Sequence, residues 1–457
     1  MNEELRYLDA LEWIHRLGRF GIKPGLERVL TLLEMLGNPQ QKIRFVHIGG
    51  TNGKGSTAVM LASILRAAGY QIGLYTSPYL LSFTNRMAVN GSDINHNDLL
   101  ELVDRIRPLV EIISSDSELG DMTEFEVVTV LALTYFAEQK VDLVILEVGL
   151  GGRLDATNVV TPLLSIITNI SLEHTEILGS TIEAIATEKA GIIKRERPLL
   201  TAAEDERALS VFEARCTELE APLIRIYPAP RDPGGLPSAI PAAILQKITE
   251  TGQSFSYKGL SLQLEDLFIP LRGAYQLNNA ATALAAVEML AKNGFLVSEN
   301  NLREGLAITE WPGRLELLRR EPLLIMDGAH NPAAMEKLAE AVPRYFSYRR
   351  LILVIGMLAD KDTAAMLGSI LPLADSVIFT KPLLPRAADP DDIAQFAADH
   401  FSLQNNYQVV HDHGEALDRA LAMAGPADAV LVTGSLYTVS DIRAHWKKQY
   451  SHHKIDR

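Results

Sequence analysis

The sequence predicts an α/β fold in two domains, and three observations carry that prediction. An apolar run at 45–48 leads into Gly49-Gly50-Thr51-Asn52-Gly53-Lys54-Gly55-Ser56-Thr57 and then a helical pattern over 58–68, so strand, glycine-rich turn and helix follow one another. Leu143-Val144-Ile145-Leu146 is continuous and apolar, as expected of a central parallel strand covered on both faces. Strand signals at 323–326, 351–355, 374–379, 407–410 and 429–432 alternate with helical stretches, which gives a second, smaller, Rossmann-like parallel sheet with helices on both faces. At 457 residues the chain is long for one core. The expected division is an N-terminal domain on a mainly parallel sheet, residues 1–296, and a C-terminal domain, 297–457.

Composition narrows the function classes. Apolar residues at 47% and charged residues at 22% are ordinary for a globular enzyme. A net charge of −14 supplies no basic stripe for nucleic acid, though local loops can still bind small anions. The single cysteine, Cys216, excludes an intramolecular disulfide and fits a reducing cytoplasm. Residues 1–12 carry charges without an apolar core, unlike a signal peptide, and no apolar run reaches the length of a membrane span. A cytoplasmic enzyme is the expectation.

Taken in order, residues 5–17 and 26–36 have helical spacing and flank the breaker-rich loop 20–25. In the loop after the strand at 45–48, glycines let backbone N–H groups turn inward, the following helix adds partial positive charge, and Lys54 can reach outer phosphates. Gly55 separates Lys54 from Ser56, so the common phosphate-loop pattern is not met, and a plain turn before a helix stays open. A second strand at 71–75 runs into Thr76-Ser77-Pro78. Helices follow at 97–110 and 122–139, the latter opening with Thr123-Glu124-Phe125-Glu126, a fair capping box.

The strand at 141–148 ends in Glu147, then Gly149-Leu150-Gly151-Gly152-Arg153-Leu154-Asp155. Carboxyl ends of strands are where open α/β sheets bind ligands, and a lone acid there needs a cation or a structural ion-pair partner. The strand at 163–167 leads to Glu173 and His174, so Glu147, His174 and a hydroxyl are a candidate hard-metal site. A helix over 182–190 carries Lys189, by itself a solvated lysine. Short strands at 198–201 and 222–226 flank a helix at 206–219. Residues 228–241 read as a surface loop, 254–264 as a hairpin, and 280–292 as an alanine-rich helix preceded by Gln276 and Asn279. In the C-terminal half, Asp327-Gly328-Ala329-His330-Asn331, Gly356 with Asp360-Lys361-Asp362, and Thr433-Gly434-Ser435 each follow a strand, which turns that sheet edge towards a ligand cleft.

The wording Gly50-Thr51-Asn52-Gly53-Lys54-Gly55-Ser56 resembles the ATP loop of the folylpolyglutamate synthase and dihydrofolate synthase family, relatives of the Mur ligases. The resemblance runs from Gly21-Ile22-Lys23-Pro24-Gly25 to Thr433-Gly434-Ser435-Leu436-Tyr437. It implies a P-loop ATPase domain with ATP held by Thr51, Asn52, Gly53, Lys54, Gly55, Ser56, Asn279, Arg314 and Asp327. It implies Mg2+, as two ions, with Ser77, Glu147 and His174 as ligands, and a carbamylated Lys189. It puts the pterin or folate beside Thr123, Glu124, Phe125, Glu126, Gly152, Arg153 and Leu154, and L-glutamate beside His330 and Ser435. Lys54, Lys189 and His174 would carry the chemistry. Four positions depart from the family pattern: Tyr79 and Tyr275 stand for histidine, Asn85 for glutamate and Glu173 for aspartate.

The implied reaction joins L-glutamate to dihydropteroate, to reduced folyl-(poly)glutamates or to both, through an acyl phosphate, by a monomer. A bifunctional enzyme is the expectation, with either single activity as the alternative. Another Mur-type ligase would need an extra N-terminal domain, for which a loop starting near residue 48 leaves no room. A nucleotide switch would need neither the Glu147, His174 and Lys189 set nor the C-terminal turns.

Overall fold

The computed structural model describes residues 3–21, 23–227, 241–401 and 406–450. Ile22 and most of the 228–241 loop lie outside them. The first sheet has eight strands: β1 (Phe45–Gly49), β2 (Ile72–Tyr75), β3 (Met87–Val89), β4 (Ser92–Asp93), β5 (Leu143–Glu147), β6 (Leu164–Ile167), β7 (Leu199–Thr201) and β8 (Leu223–Arg225). Their order is β4-β3-β2-β5-β1-β6-β7-β8, parallel except where β3 pairs with β2 and β4. Every residue of β1, β5 and β6 is buried, including His47 and Ser165, as central parallel strands covered on both faces require. Two helical layers cover the faces. Tyr135, Phe136 and Leu131 pack on one side, and Leu61, Ile64 and Leu284 on the other.

The second sheet is an antiparallel meander, β9 (Ala242–Thr249), β10 (Gly252–Lys258) and β11 (Gln263–Ile269). The hairpin expected over 254–264 is therefore the outer half of three strands. The third sheet holds β12 (Glu316–Arg320), β13 (Leu323–Met326), β14 (Leu351–Ile355), β15 (Ser376–Phe379), β16 (Tyr407–Val409) and β17 (Ala429–Thr433), in the order β12-β13-β17-β14-β15-β16. Only the β12–β13 pair is antiparallel. The alternating strands read from the sequence are these, with β12 an addition at the edge.

Parallel neighbours end on the same side, so the turns after β1, β5 and β6 lie together, as do those after β13, β14 and β17. These two sets of turns meet. Asn52 Nδ2 donates to Asn331 Oδ1 (3.3 Å) and Asn331 Nδ2 donates to Asn52 Oδ1 (3.1 Å). Cys216 is buried beside Leu209 and Phe212, and burial pushes its thiol up to about 11. No helix among the described residues is long and apolar enough to cross a membrane.

Candidate active site

The turn after β1 is fixed from below. Thr51 N donates to Asn169 O (2.9 Å), Asn52 N to Asn169 Oδ1 (2.8 Å), and Thr168 Oγ1 to Asn52 O (2.6 Å). Gly50 has φ +132°, and a Cβ there would lie 2.0 Å from Thr168 Oγ1, so only glycine fits. Gly53 (φ +86°) caps the helix Lys54–Ala67, and its bare Cα faces Asn279 Oδ1. Asn279 is in turn held by Gln276, to whose Oε1 its Nδ2 donates (2.8 Å). Ser56 is buried in the first turn of that helix.

Two lysines converge on one carbonyl. Lys54 Nζ donates to Gly50 O (3.2 Å) and Thr51 O (3.1 Å), and Lys189 Nζ donates to Gly50 O (2.9 Å). Burial, reinforced by Lys54, lowers the Lys189 amine to about 7. Glu147 ends β5 fully buried and accepts from Ser77 N (3.1 Å). Burial raises its carboxyl, with Lys54 and the Ser77 hydrogen bond opposing. His174, at φ +51°, starts a short helix, and burial lowers its imidazole to about 4.

The far wall comes from the third sheet. Asp327 Oδ2 accepts from Leu315 N and Oδ1 from Ala329 N, both at 2.8 Å. Arg314 lies against Gly328, and His330 is pinned by its Nδ1 on Gly328 O (2.8 Å). Glu173 joins the walls. Its Oε1 lies 3.3 Å from His330 Nε2, 3.8 Å from Lys361 Nζ and 3.9 Å from His174 Nε2. Burial alone would raise the Glu173 carboxyl, but His330, Lys54 and Asn331 hold it well below the usual carboxylate range.

These walls enclose a cleft of about 1230 Å³. It is lined by Thr51, Asn52, Gly53, Lys54, Gly55, Ser56, Ser77, Glu147, His174, Lys189, Asn279, Arg314, Asp327 and His330 from the sequence-derived candidates. Thr123, Glu124, Phe125, Glu126, Gly152, Arg153, Leu154 and Ser435 are not in that lining. Phe125 comes next to it, its ring stacked on Gly149, where a Cβ would lie 2.3 Å away. Glu124 sits between Arg86 Nη2 (3.5 Å) and His15 Nδ1 (3.6 Å). Both Glu126 oxygens are engaged, Oε2 by Thr123 N (2.7 Å) and Oε1 by Arg28 Nε (2.9 Å). Gly152 packs on the Glu188 and Lys189 carbonyls, and Arg153 pairs with Glu188 at the surface (2.8 Å). The Ser435 hydroxyl caps the last helix through Thr438 N (3.0 Å).

The cleft also reaches residues that the sequence alone did not single out. Ile244 and Leu245 of β9 and Ala334 and Tyr345 of the helix Pro332–Tyr345 add apolar surface to its lining. A magnesium ion takes a carboxylate or two plus hydroxyl, water and phosphate oxygens, so it needs no cage of acids. Among the described residues no three His, Cys, Asp or Glu side chains gather as such a cage. Ser77 and Glu147, adjacent and facing the cleft, offer the oxygen set that does fit, and the desolvated Glu147 carboxylate lacks a direct cationic partner in the ion pairs of the described residues.

Residues 48–287 match the Mur ligase middle domain, and residues 313–436 the Mur ligase, glutamate ligase domain. The chain is 40% identical over 443 residues to the dihydrofolate synthase/folylpolyglutamate synthase of Bacillus subtilis, covering 96% of this chain and 99% of that one. It superposes on the Mycobacterium tuberculosis folylpolyglutamate synthase complexed with ADP and AMPPCP with a TM-score of 0.87, at 32% identity, over 97% and 98% of the two chains. An FPGS–AMPPCP–folate complex is similar too, with a TM-score of 0.81, 33% identity, and coverage of 97% and 99%. With both halves of the cleft matched over nearly the full length, the chain belongs to the folylpolyglutamate synthase/dihydrofolate synthase family of Mur ligases.

Proposed function

We propose that this protein is an ATP-dependent ligase that adds L-glutamate to folates, and that it serves both dihydropteroate and reduced folyl-(poly)glutamates. The observation that carries the reading is the cleft itself, in which the turn holding Lys54 and Lys189 faces Arg314, Asp327 and His330 across one continuous space. The Bacillus relative bears both activity names, and solved relatives hold ATP analogues and folate.

In this reading the triphosphate lies on the N–H groups of the turn at 51–56, with Lys54 moving from its carbonyls to the outer phosphates. The apolar surface of Ile244, Leu245 and Tyr345 takes the base, and Asn279, Arg314 and Asp327 the rest of the nucleotide. Two magnesium ions, with Ser77, Glu147 and His174 as protein ligands, would neutralise phosphate charge. The folate sits by Phe125 and Glu124 and by the turn Gly152-Arg153-Leu154, with Thr123 and Glu126 holding that helix start in shape. Its carboxylate attacks the γ-phosphoryl group in line, which releases ADP and leaves an acyl phosphate. L-Glutamate, seated by His330 and Ser435, attacks the acyl carbon through its amine and phosphate departs. A Lys189 amine near pKa 7 is neutral enough to take up CO2 as a carbamate, and burial is what makes it so. The enzyme acts as a cytoplasmic monomer of two domains, 1–296 and 297–457.

Product mass tests the reading. Purified enzyme with ATP, magnesium and L-glutamate is given dihydropteroate in one reaction and a reduced monoglutamyl folate in another. Gain of glutamyl units in both is expected. Gain in one alone reduces the assignment to that activity, and gain in neither overturns it.

A further inference from the structure

One aromatic side chain reaches the phosphate-binding turn from outside the cleft. A Cβ on Gly55 would lie 2.7 Å from Trp311 Cζ2 and 3.2 Å from its Cε2. Gly55 is inside the helix Lys54–Ala67, so its backbone makes no demand for glycine, and the indole does. This accounts for the glycine between Lys54 and Ser56, where the common pattern runs from lysine straight to a hydroxyl residue.

Trp311 completes a longer grip on the same helix. The helix Glu299–Ala307 lies along it closely enough that a Cβ on Gly305 would come 2.4 Å from Ile64 Cα. Asn301 Nδ2 donates to Ala67 O (2.8 Å) at its last turn. Trp311 takes the first turn. Its ring packs against the core that contains Ile64 and Leu284, and its buried Nε1 has no hydrogen-bond partner among the described residues. Shape rather than hydrogen bonding therefore seats it. Two residues further on, Gly313 (φ +74°) accepts from Gly328 N (2.9 Å), and Arg314 enters the cleft.

We propose that Trp311 is a positioning residue for nucleotide binding. Its indole on Gly55 sets the first turn of the phosphate helix, and with it Lys54 and Ser56, and joins that turn to Arg314 on the opposite wall. The inference rests on the ATP-binding part of the function above, not on the identity of the folate.

The test uses the full chain as Trp311→Ala, Trp311→Phe, Gly55→Ala and the Gly55→Ala/Trp311→Ala double variant. Binding of a non-hydrolysable ATP analogue is measured by calorimetry, folding by thermal melts, and KM for ATP and for glutamate by steady-state assay. Trp311→Ala is expected to weaken analogue binding and raise KM for ATP about tenfold, with KM for glutamate within about twofold. Trp311→Phe, which keeps a flat ring, stays within about threefold of the parent. Gly55→Ala, which drives a Cβ into the indole, also weakens analogue binding, and the double variant is no worse than either single one because removing the indole removes that clash. Unchanged analogue binding in Trp311→Ala, or additive losses in the double variant, overturns the proposal. Should Trp311→Ala fail to fold, Trp311→Leu takes its place in the same comparison. Analogue binding by the parent without glutamate transfer to any folate would sink the function above and leave this inference testable.

Discussion

Lys54 and Lys189 share the Gly50 carbonyl, and the sequence gives each a different fate. Lys54 opens a helix at the cleft, and Lys54→Ala is expected to cut ligation by about a thousandfold or more while the melting temperature holds, since the role proposed for it is charge on a transferring phosphoryl group. Near-normal turnover would remove it from the mechanism. Lys189 is buried and titrates near 7, against 10.5 for an ordinary lysine. Between those values the unfolded chain holds the extra proton, so the stability penalty of the native lysine is complete below pH 7 and fades as pH rises to 10.5. In buffer freed of CO2, where the amine is unmodified, Lys189→Met is therefore expected to raise the thermal midpoint most at about pH 6 and hardly at all at about pH 10, with ligation lost. A gain independent of pH would mean packing, not charge, is the cause. The place of Lys54 at a helix start on the cleft was legible because strand, turn and helix frame it. The hub role of Glu173 was not, because His330 and Lys361 reach it from another sheet and no local spacing records that.

The helix Glu124–Glu138 begins with a reciprocal cap that was readable as Thr123 and Glu126. The cap also anchors Arg28, whose side chain is only 12% exposed. Thr123→Ala should cost about 1 kcal/mol, the loss of one capping hydroxyl. Glu126→Ala should cost about 3 kcal/mol, because it also strands a buried guanidinium. Denaturant unfolding of both variants measures the order, and equal costs would mean the Arg28 pair contributes nothing. Other elements were signalled less clearly. The β3–β4 hairpin turns on Asn90-Gly91, both at positive φ, but its strands of three and two residues are too short to show an alternation, and it went unread in the sequence. β9 opens with Ala242-Ala243-Ile244-Leu245 and then turns polar, without alternation, so neither strand nor helix period marks it. Because β9 was missed, so was the apolar lining that Ile244 and Leu245 give the cleft.

Across the whole molecule the two walls touch through the Asn52–Asn331 amide pair and through Glu173. An acyl phosphate survives only while water is kept out, so the walls must stay closed between its formation and its capture. Glu173→Gln keeps the shape and removes the charge that His330 and Lys361 share. Its expected effect is more ADP released per glutamyl product, read by assaying both in one reaction. An unchanged ratio would show that the charge has no part in closure. The lone buried thiol of Cys216, pushed up to about 11, has a further use. At neutral pH it is a poor target for maleimide dyes, so the native surface is close to chemically silent. Two new cysteines, one at Leu383 after β15 of the third sheet (77% exposed) and one at Ile112 on the helix His96–Ser115 (56% exposed), would carry a fluorophore pair. Opening and closing of the cleft then becomes a distance that can be followed in single molecules, through successive rounds of turnover, without first stripping the protein of its own cysteine.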